Sequence, residues 1–203
     1  PDGTLVAVGN DGRDAAIWAS TDGLSWSRVS SDVLGGPDFQ SILRVVAGGP
    51  GFVAVGQDGS DAGVWVSHDG YDWTKVEDED LLAGDDLHKM IYDVTVGGPG
   101  LVAVGSAGIW DGDDFTGAAW VSQDGYDWER LPKGTFVAET GTTGLGSVTA
   151  NPATDRLIAF GSEMWTSEDG YHWVVTERDL PSGGPNPGTE VAWHGQVAVA
   201  AGY

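Results

Sequence analysis

Ser67-His68-Asp69-Gly70-Tyr71-Asp72-Trp73 joins two short apolar runs, Gly63 to Ser67 and Tyr71 to Val76, and its chemistry dictates the architecture. Asp-Gly between strand-like runs is a strong hairpin signal, because glycine enters the φ > 0 region without steric cost. The Ser and Asp side chains can hydrogen-bond the turn's own backbone, and the Trp ring buries a large apolar surface. The same parts recur as Ser20/Asp22/Trp26, Ser122/Asp124/Trp128 and Ser167/Asp169/Trp173. Successive copies are about 45 to 55 residues apart, and that period with β-type sequence predicts propeller blades.

Working outward, each copy reads as four strands, A to D from the axis. In the second copy these are Ile42 to Ala47, Phe52 to Val55, Gly63 to Ser67 and Tyr71 to Val76. They are short, rich in Val, Ile and Trp, and bounded by Gly, Pro or Asp. The expected organisation is strands B-C-D of one blade, then three full blades at about 39–76, 88–131 and 145–176. Strands A and B of a fifth blade follow at 189–203. The expected fold is therefore all-β, a β-propeller of four-stranded antiparallel blades with four to five blades in the chain. Pro1-Asp2-Gly3 matches the A–B turn Gly49-Pro50-Gly51, so the strand phase does not close neatly. This predicts part of a six- to eight-bladed propeller, or an arc whose edges meet another chain.

Ser-x-Asp-Gly-x-x-Trp resembles a shortened Asp box, or BNR repeat, as found in sialidases, sortilin-type receptors, xyloglucan-cleaving glycosidases and photosystem assembly factors. The resemblance covers nearly the whole chain and implies a sialidase-like propeller. It also implies that Asp22, Asp69, Asp124 and Asp169 are structural staples at the C–D turns, remote from any active site.

Composition narrows the partners. With 31 Asp plus Glu against 9 Lys plus Arg, the net charge is −22. Such a surface repels phosphate polyanions, so nucleic acid is a poor partner, while cations and basic proteins are better ones. No apolar run approaches the ~20 residues of a membrane span, so membrane insertion is not expected. Cysteine is absent, which removes disulfides and thiol catalysis from consideration.

Subtracting the repeat isolates candidates for function. Trp193 matches a small position of strand A and reads as an interblade filler. Trp110 lies in an enlarged B–C loop of the third blade, Ile109-Trp110-Asp111-Gly112-Asp113-Asp114-Phe115. Asp111, Asp113 and Asp114 could hold a Ca²⁺ ion, Trp110 could contact a ligand, or the loop is simply solvated charge. The spacing is not that of an EF-hand. Alignment of the inner strands puts Arg44, Asp93, Ser147 and Glu190 in one ring, read either as ligand-binding positions or as salt bridges.

The family resemblance raises the possibility of sialidase-type glycoside hydrolysis. Sialidases grip the substrate carboxylate with three arginines, and here only Arg44 stands at an axial position. The Arg-Ile-Pro motif of that family is absent from the chain. No Ser/His/Asp order, nucleotide loop or histidine cluster stands out either. The expectation is a non-catalytic binding or scaffold module for a protein or glycan partner, secreted or on the cell surface. The alternatives are a hydrolase whose catalytic residues lie partly outside this chain, and a structural subunit of an extracellular assembly.

Overall fold

The computed structural model describes residues 3–81, 86–109, 116–137, 144–176, 190–195 and 197–201. It is an all-β structure of five antiparallel sheets. Blade one has three strands, β1 (Leu5–Asp11), β2 (Asp14–Ser20) and β3 (Ser27–Arg28). Blade two has four, β4 (Gln40–Gly48), β5 (Gly51–Asp58), β6 (Asp61–Ser67) and β7 (Trp73–Lys75). Blade three comprises β8 (His88–Gly97), β9 (Gly100–Gly108), β10 (Thr116–Ser122) and β11 (Trp128–Arg130). Blade four comprises β12 (Ser147–Ala150), β13 (Leu157–Phe160), β14 (Met164–Ser167) and β15 (Val174–Thr176). A last pair, β16 (Glu190–His194) and β17 (Val197–Ala201), follows. The full sheets run in simple A-B-C-D order, and the inner strands β4, β8, β12 and β16 pack in succession. This is a β-propeller built of four-stranded antiparallel blades, and the described strands do not close the ring.

The hydrophobic cores lie between blades, because strand alternation gives every blade two apolar faces. On β5, Phe52 and Ala54 enter the seam with blade one, while Val53 and Val55 enter the seam with blade three. On β9, Leu101 and Ala103 face back to blade two, while Val102 and Val104 face blade four. The tryptophans follow the same rule. Trp65 and Trp73 fill the first seam, Trp120 and Trp128 the second, and Trp165 and Trp173 the third. In blades two and three the indole of the strand-C tryptophan reaches the D–A connection of the preceding blade. Trp65 Nε1 donates to the Val33 carbonyl (3.0 Å) and Trp120 Nε1 to the Leu81 carbonyl (3.1 Å). In the third seam Phe136 instead lies edge-on to Trp165 at 5.2 Å.

The glycine within strand B of blades two and three, Gly56 and Gly105, has a steric cause. Strand β4 bulges between Ile42 and Arg44, and β8 bulges between Ile91 and Asp93. Each bulge drives a carbonyl oxygen toward the partner strand, where a Cβ on Gly56 would overlap the Ser41 oxygen and one on Gly105 the Met90 oxygen. Only a residue without a side chain admits this approach. Among the described residues the equivalent Gly9 on β1 has no inner strand beside it, and its nearest neighbour is a Trp18 ring carbon at 3.8 Å. We therefore expect Gly105→Ala to cost about 3 kcal/mol or more, at the upper end of overpacking penalties. Gly9→Ala should stay within about 0.5 kcal/mol of the parent. Urea unfolding of the two variants separates the cases, and equal losses would discredit the bulge explanation.

Candidate functional site

The axial ring assembles around one carboxylate. Asp93 is 5% exposed, on the inner strand of blade three. Arg44 Nε, from blade two, donates to its Oδ1 at 2.8 Å, as does the Val94 amide at 2.9 Å. From blade four, the Ser147 hydroxyl and the Val148 amide each donate to Oδ2 at 2.9 Å. One side chain thus ties three successive blades together, and its lone pairs are spent on that task. Desolvation pushes the carboxyl above its usual range, opposed by the Arg44 charge and the donated hydrogen bonds. The chain of contacts continues outward, because Trp193 Nε1 of the fifth blade donates to Thr149 Oγ1 of the fourth at 3.1 Å. Trp193 therefore occupies an interblade position. The side chain of Glu190 lies outside the described residues, as do Trp110, Asp111, Asp113 and Asp114.

The four Ser-x-Asp-Gly-x-x-Trp turns share one bonding scheme. In blade two, Ser67 Oγ accepts from the Gly70 amide (2.8 Å) and donates to Asp69 Oδ1 (3.2 Å). Asp69 Oδ1 in turn accepts from the amides of Tyr71 (2.8 Å) and Asp72 (3.0 Å). Trp73 Nε1 donates to the Gly70 carbonyl at 3.0 Å. Gly23, Gly70, Gly125 and Gly170 take φ of +73°, +88°, +88° and +81°, as the turn requires. The hydrogen bonds fall on the ionised carboxylate and hold it down. Backbone bonds from Ser25 and Leu24 lower Asp22 to about 2. The amides of Asp72 and Tyr71 lower Asp69, and those of Asp127 and Tyr126 lower Asp124. A bond from the His172 ring, followed by the His172 amide, takes Asp169 well below the usual range. Each of these carboxylates is committed to its own turn.

Two further features were not legible as a site in the sequence. Asp86 gathers three of the chain's nine basic residues. Arg130 Nη2 and Lys133 Nζ reach its carboxylate at 2.6 and 3.2 Å, while Lys89 Nζ donates to its backbone carbonyl at 2.9 Å. Arg130 also lies 5.9 Å over the Trp120 ring. Desolvation alone would raise the Asp86 carboxyl, but the bonds and charges of Arg130 and Lys133 outweigh it and leave it lowered. The second feature is a groove of about 450 Å³ on the flank of blade three, lined by Asp78, Asp80, Asp124, Asp127, Glu129 and Tyr171 among others. Asp78 stands there because its Oδ2 accepts from the Trp128 amide at 2.6 Å. The D–A connection thus runs against the flank of the next blade. Among the described residues no group of three or more His, Cys, Asp or Glu is arranged to hold a metal ion.

No family model matches the chain, and no curated protein matches it. Among solved structures it is similar to a chain described as "YCF48 bound to D1 peptide", with 16% identity and a TM-score of 0.44. The match covers 91% of this chain and 54% of that one, so this chain spans about half the length of that structure.

Removing the carboxylate of Asp93 takes the shared acceptor from the half-buried Arg44 guanidinium, the Val94 and Val148 amides and the Ser147 hydroxyl. We expect Asp93→Ala to cost about 3 kcal/mol. The exposed Arg28–Asp11 pair, with side chains 48% and 62% exposed, should be replaceable with little effect. Chemical denaturation of Asp93→Ala beside Arg28→Ala measures the difference, and a small loss for Asp93→Ala would remove it as the clamp. The turn aspartates give a pH signature. Their folded values are depressed, so the stability they confer is full above the unfolded value of 3.8 and is lost as pH falls through the folded one, about 2 for Asp22. Melting temperature should fall steeply between pH 4 and pH 2, and Asp22→Asn should flatten that limb while lowering stability at pH 7. An acid limb unchanged in Asp22→Asn would show that the turn does not titrate.

Proposed function

We propose that this protein is a non-catalytic propeller module that binds a protein or glycan partner, belonging with the Asp-box propellers and acting outside the cytoplasm. The resemblance of the turns supports the family, and the propeller architecture supports a rigid scaffold with variable connections. The observation that carries the reading is how the charges are used. Arg44, the axial arginine that a sialidase-type grip would need, is bonded to Asp93. Arg28, Lys75, Lys89, Arg130, Lys133 and Arg156 also pair with carboxylates. Basic charge is thus neutralised within the fold, while Asp80, Asp127 and Glu129 stand exposed at the flank groove. A field of that sign favours a basic segment of a protein partner over an anionic sugar.

A peptide of alternating Lys and Gly should bind with an affinity that falls steeply as salt rises, since exposed charges are screened within about 10 Å at 0.1 M. The triple variant Asp80→Asn, Asp127→Asn, Glu129→Gln should bind it at least tenfold more weakly, with an unchanged melting temperature. Equal binding by the triple variant would remove the groove as the seat. Turnover of a chromogenic sialoside by the parent protein would overturn the non-catalytic reading.

A further inference from the structure

The three seams are fastened unequally where a D–A connection meets the next blade. In the first, Trp65 Nε1 donates to the Val33 carbonyl at 3.0 Å. In the second, two bonds hold. Trp120 Nε1 donates to the Leu81 carbonyl at 3.1 Å, and the Trp128 amide donates to Asp78 Oδ2 at 2.6 Å. In the third, Trp165 is 5% exposed, and its Nε1 is buried without an acceptor. Complete four-stranded blades flank this seam on both sides, so the difference belongs to the connection between them.

A buried donor left without a partner weakens a joint. The sequence of the connection shows what stands in the partner's place. Leu34 and Leu81 are the buried apolar residues of the first two connections, and Phe136 is that of the third. Its ring lies edge-on to Trp165 at 5.2 Å and tilted to Trp173 at 5.6 Å, so aromatic contact replaces the carbonyl. Lys133 stands two residues past the buried Leu131, as Asp78 stands two past the buried Val76. An ammonium cannot accept from the Trp173 amide as Asp78 accepts from that of Trp128. Lys133 turns instead to Asp86, at 3.2 Å, just ahead of the inner strand of its own blade. The rest of the connection bonds to itself, because the Thr135 amide and hydroxyl both donate to the Pro132 carbonyl, at 3.1 and 2.7 Å. Among the described residues, no hydrogen bond or ion pair ties residues 132–137 to blade four, and the Phe136 ring is their buried anchor.

We infer that residues 132–137 form a releasable strap, which lifts from the third seam as Phe136 leaves Trp165 and Trp173 while both blades stay folded. The start of the strap is fixed, since the buried Leu131 donates its amide to the Ala119 carbonyl at 2.9 Å. Gly134, at φ +92° with open space around it, supplies the bend. The two blades are held together elsewhere, by Asp93 bonded to Ser147 and Val148 and by the close approach of Gly170 to Pro99. Lifting therefore does not part them. It uncovers two tryptophan faces and the unspent Nε1 donor of Trp165. Local opening of this kind draws on the segment with the fewest bonds to its surroundings.

Hydrogen exchange of the indole protons, followed by NMR on the 203-residue protein, tests the strap, because the three indoles have closely similar intrinsic chemistry. The Trp165 proton should exchange at least tenfold faster than those of Trp65 and Trp120, at a rate that low urea barely changes, while the Leu131 amide stays protected. Lys133→Asp gives the connection an acceptor for the Trp173 amide. It should slow the Trp165 proton at least fivefold relative to Lys133→Ala, with Trp65 and Trp120 unchanged. One common rate for the three indoles, or a Trp165 rate that climbs with urea in step with the other two, would overturn the proposal. Equal Trp165 rates in Lys133→Asp and Lys133→Ala would overturn it as well, because they would show exchange that does not pass through the strap.

Discussion

A four-stranded antiparallel sheet with two apolar faces must bury both, and here each face finds its cover on the neighbouring blade. That constraint governs the rest of the structure. Alternate residues of one strand serve different seams, so Val53 and Ala54 belong to different cores although they are adjacent in sequence. The tryptophans act as measured spacers in these seams. Trp73, Trp128 and Trp173 are 5%, 2% and 9% exposed, whereas Trp26, on the outer face of the first blade, is 43% exposed. One residue type at one repeat position is thus buried or not according to whether a neighbour stands beside it.

The polar chemistry serves the same end. A C–D turn leaves several amides pointing at one place, and a single carboxylate with one serine satisfies them locally. Ionised carboxylate is the right acceptor because it gains from every bond, which is why these groups are held so acidic. Asp93 applies the same logic across blades instead of within a turn. It accepts from two neighbouring blades as well as its own, where a neutral hydroxyl could not supply enough lone pairs. Desolvation works against it, so the clamp depends on all its donors being present together.

The turn, the strand order and the seam tryptophans were legible because they repeat: four copies of Ser-x-Asp-Gly-x-x-Trp fix the phase of every strand. Trp193 was legible as a filler for the same reason. The ring of Arg44, Asp93 and Ser147 could be aligned, but its bonding could not be read, since the partners lie about fifty residues apart in chain and meet only through the radial order of blades. Gly56 and Gly105 show a subtler limit. A glycine at the end of a strand reads as a turn signal, yet here it records a carbonyl on another strand, and neither has a positive φ to betray it. Asp86 was one acid among thirty-one until three basic residues from two stretches of chain converged on it.

The distribution of charge then follows from the distribution of work. Basic residues are scarce, and the structure spends them at joints: Arg44 between inner strands, Arg130 and Lys133 where the D–A connection meets the outer strand of blade three. The Arg44 and Arg130 joints cancel buried carboxylates, exposed pairs such as Arg28–Asp11 and Arg156–Glu168 cancel surface ones, and with a net charge of −22 the exterior remains strongly negative. Such a surface resists indiscriminate self-association between like-charged copies. On the proposed reading it favours a partner that brings compensating positive charge.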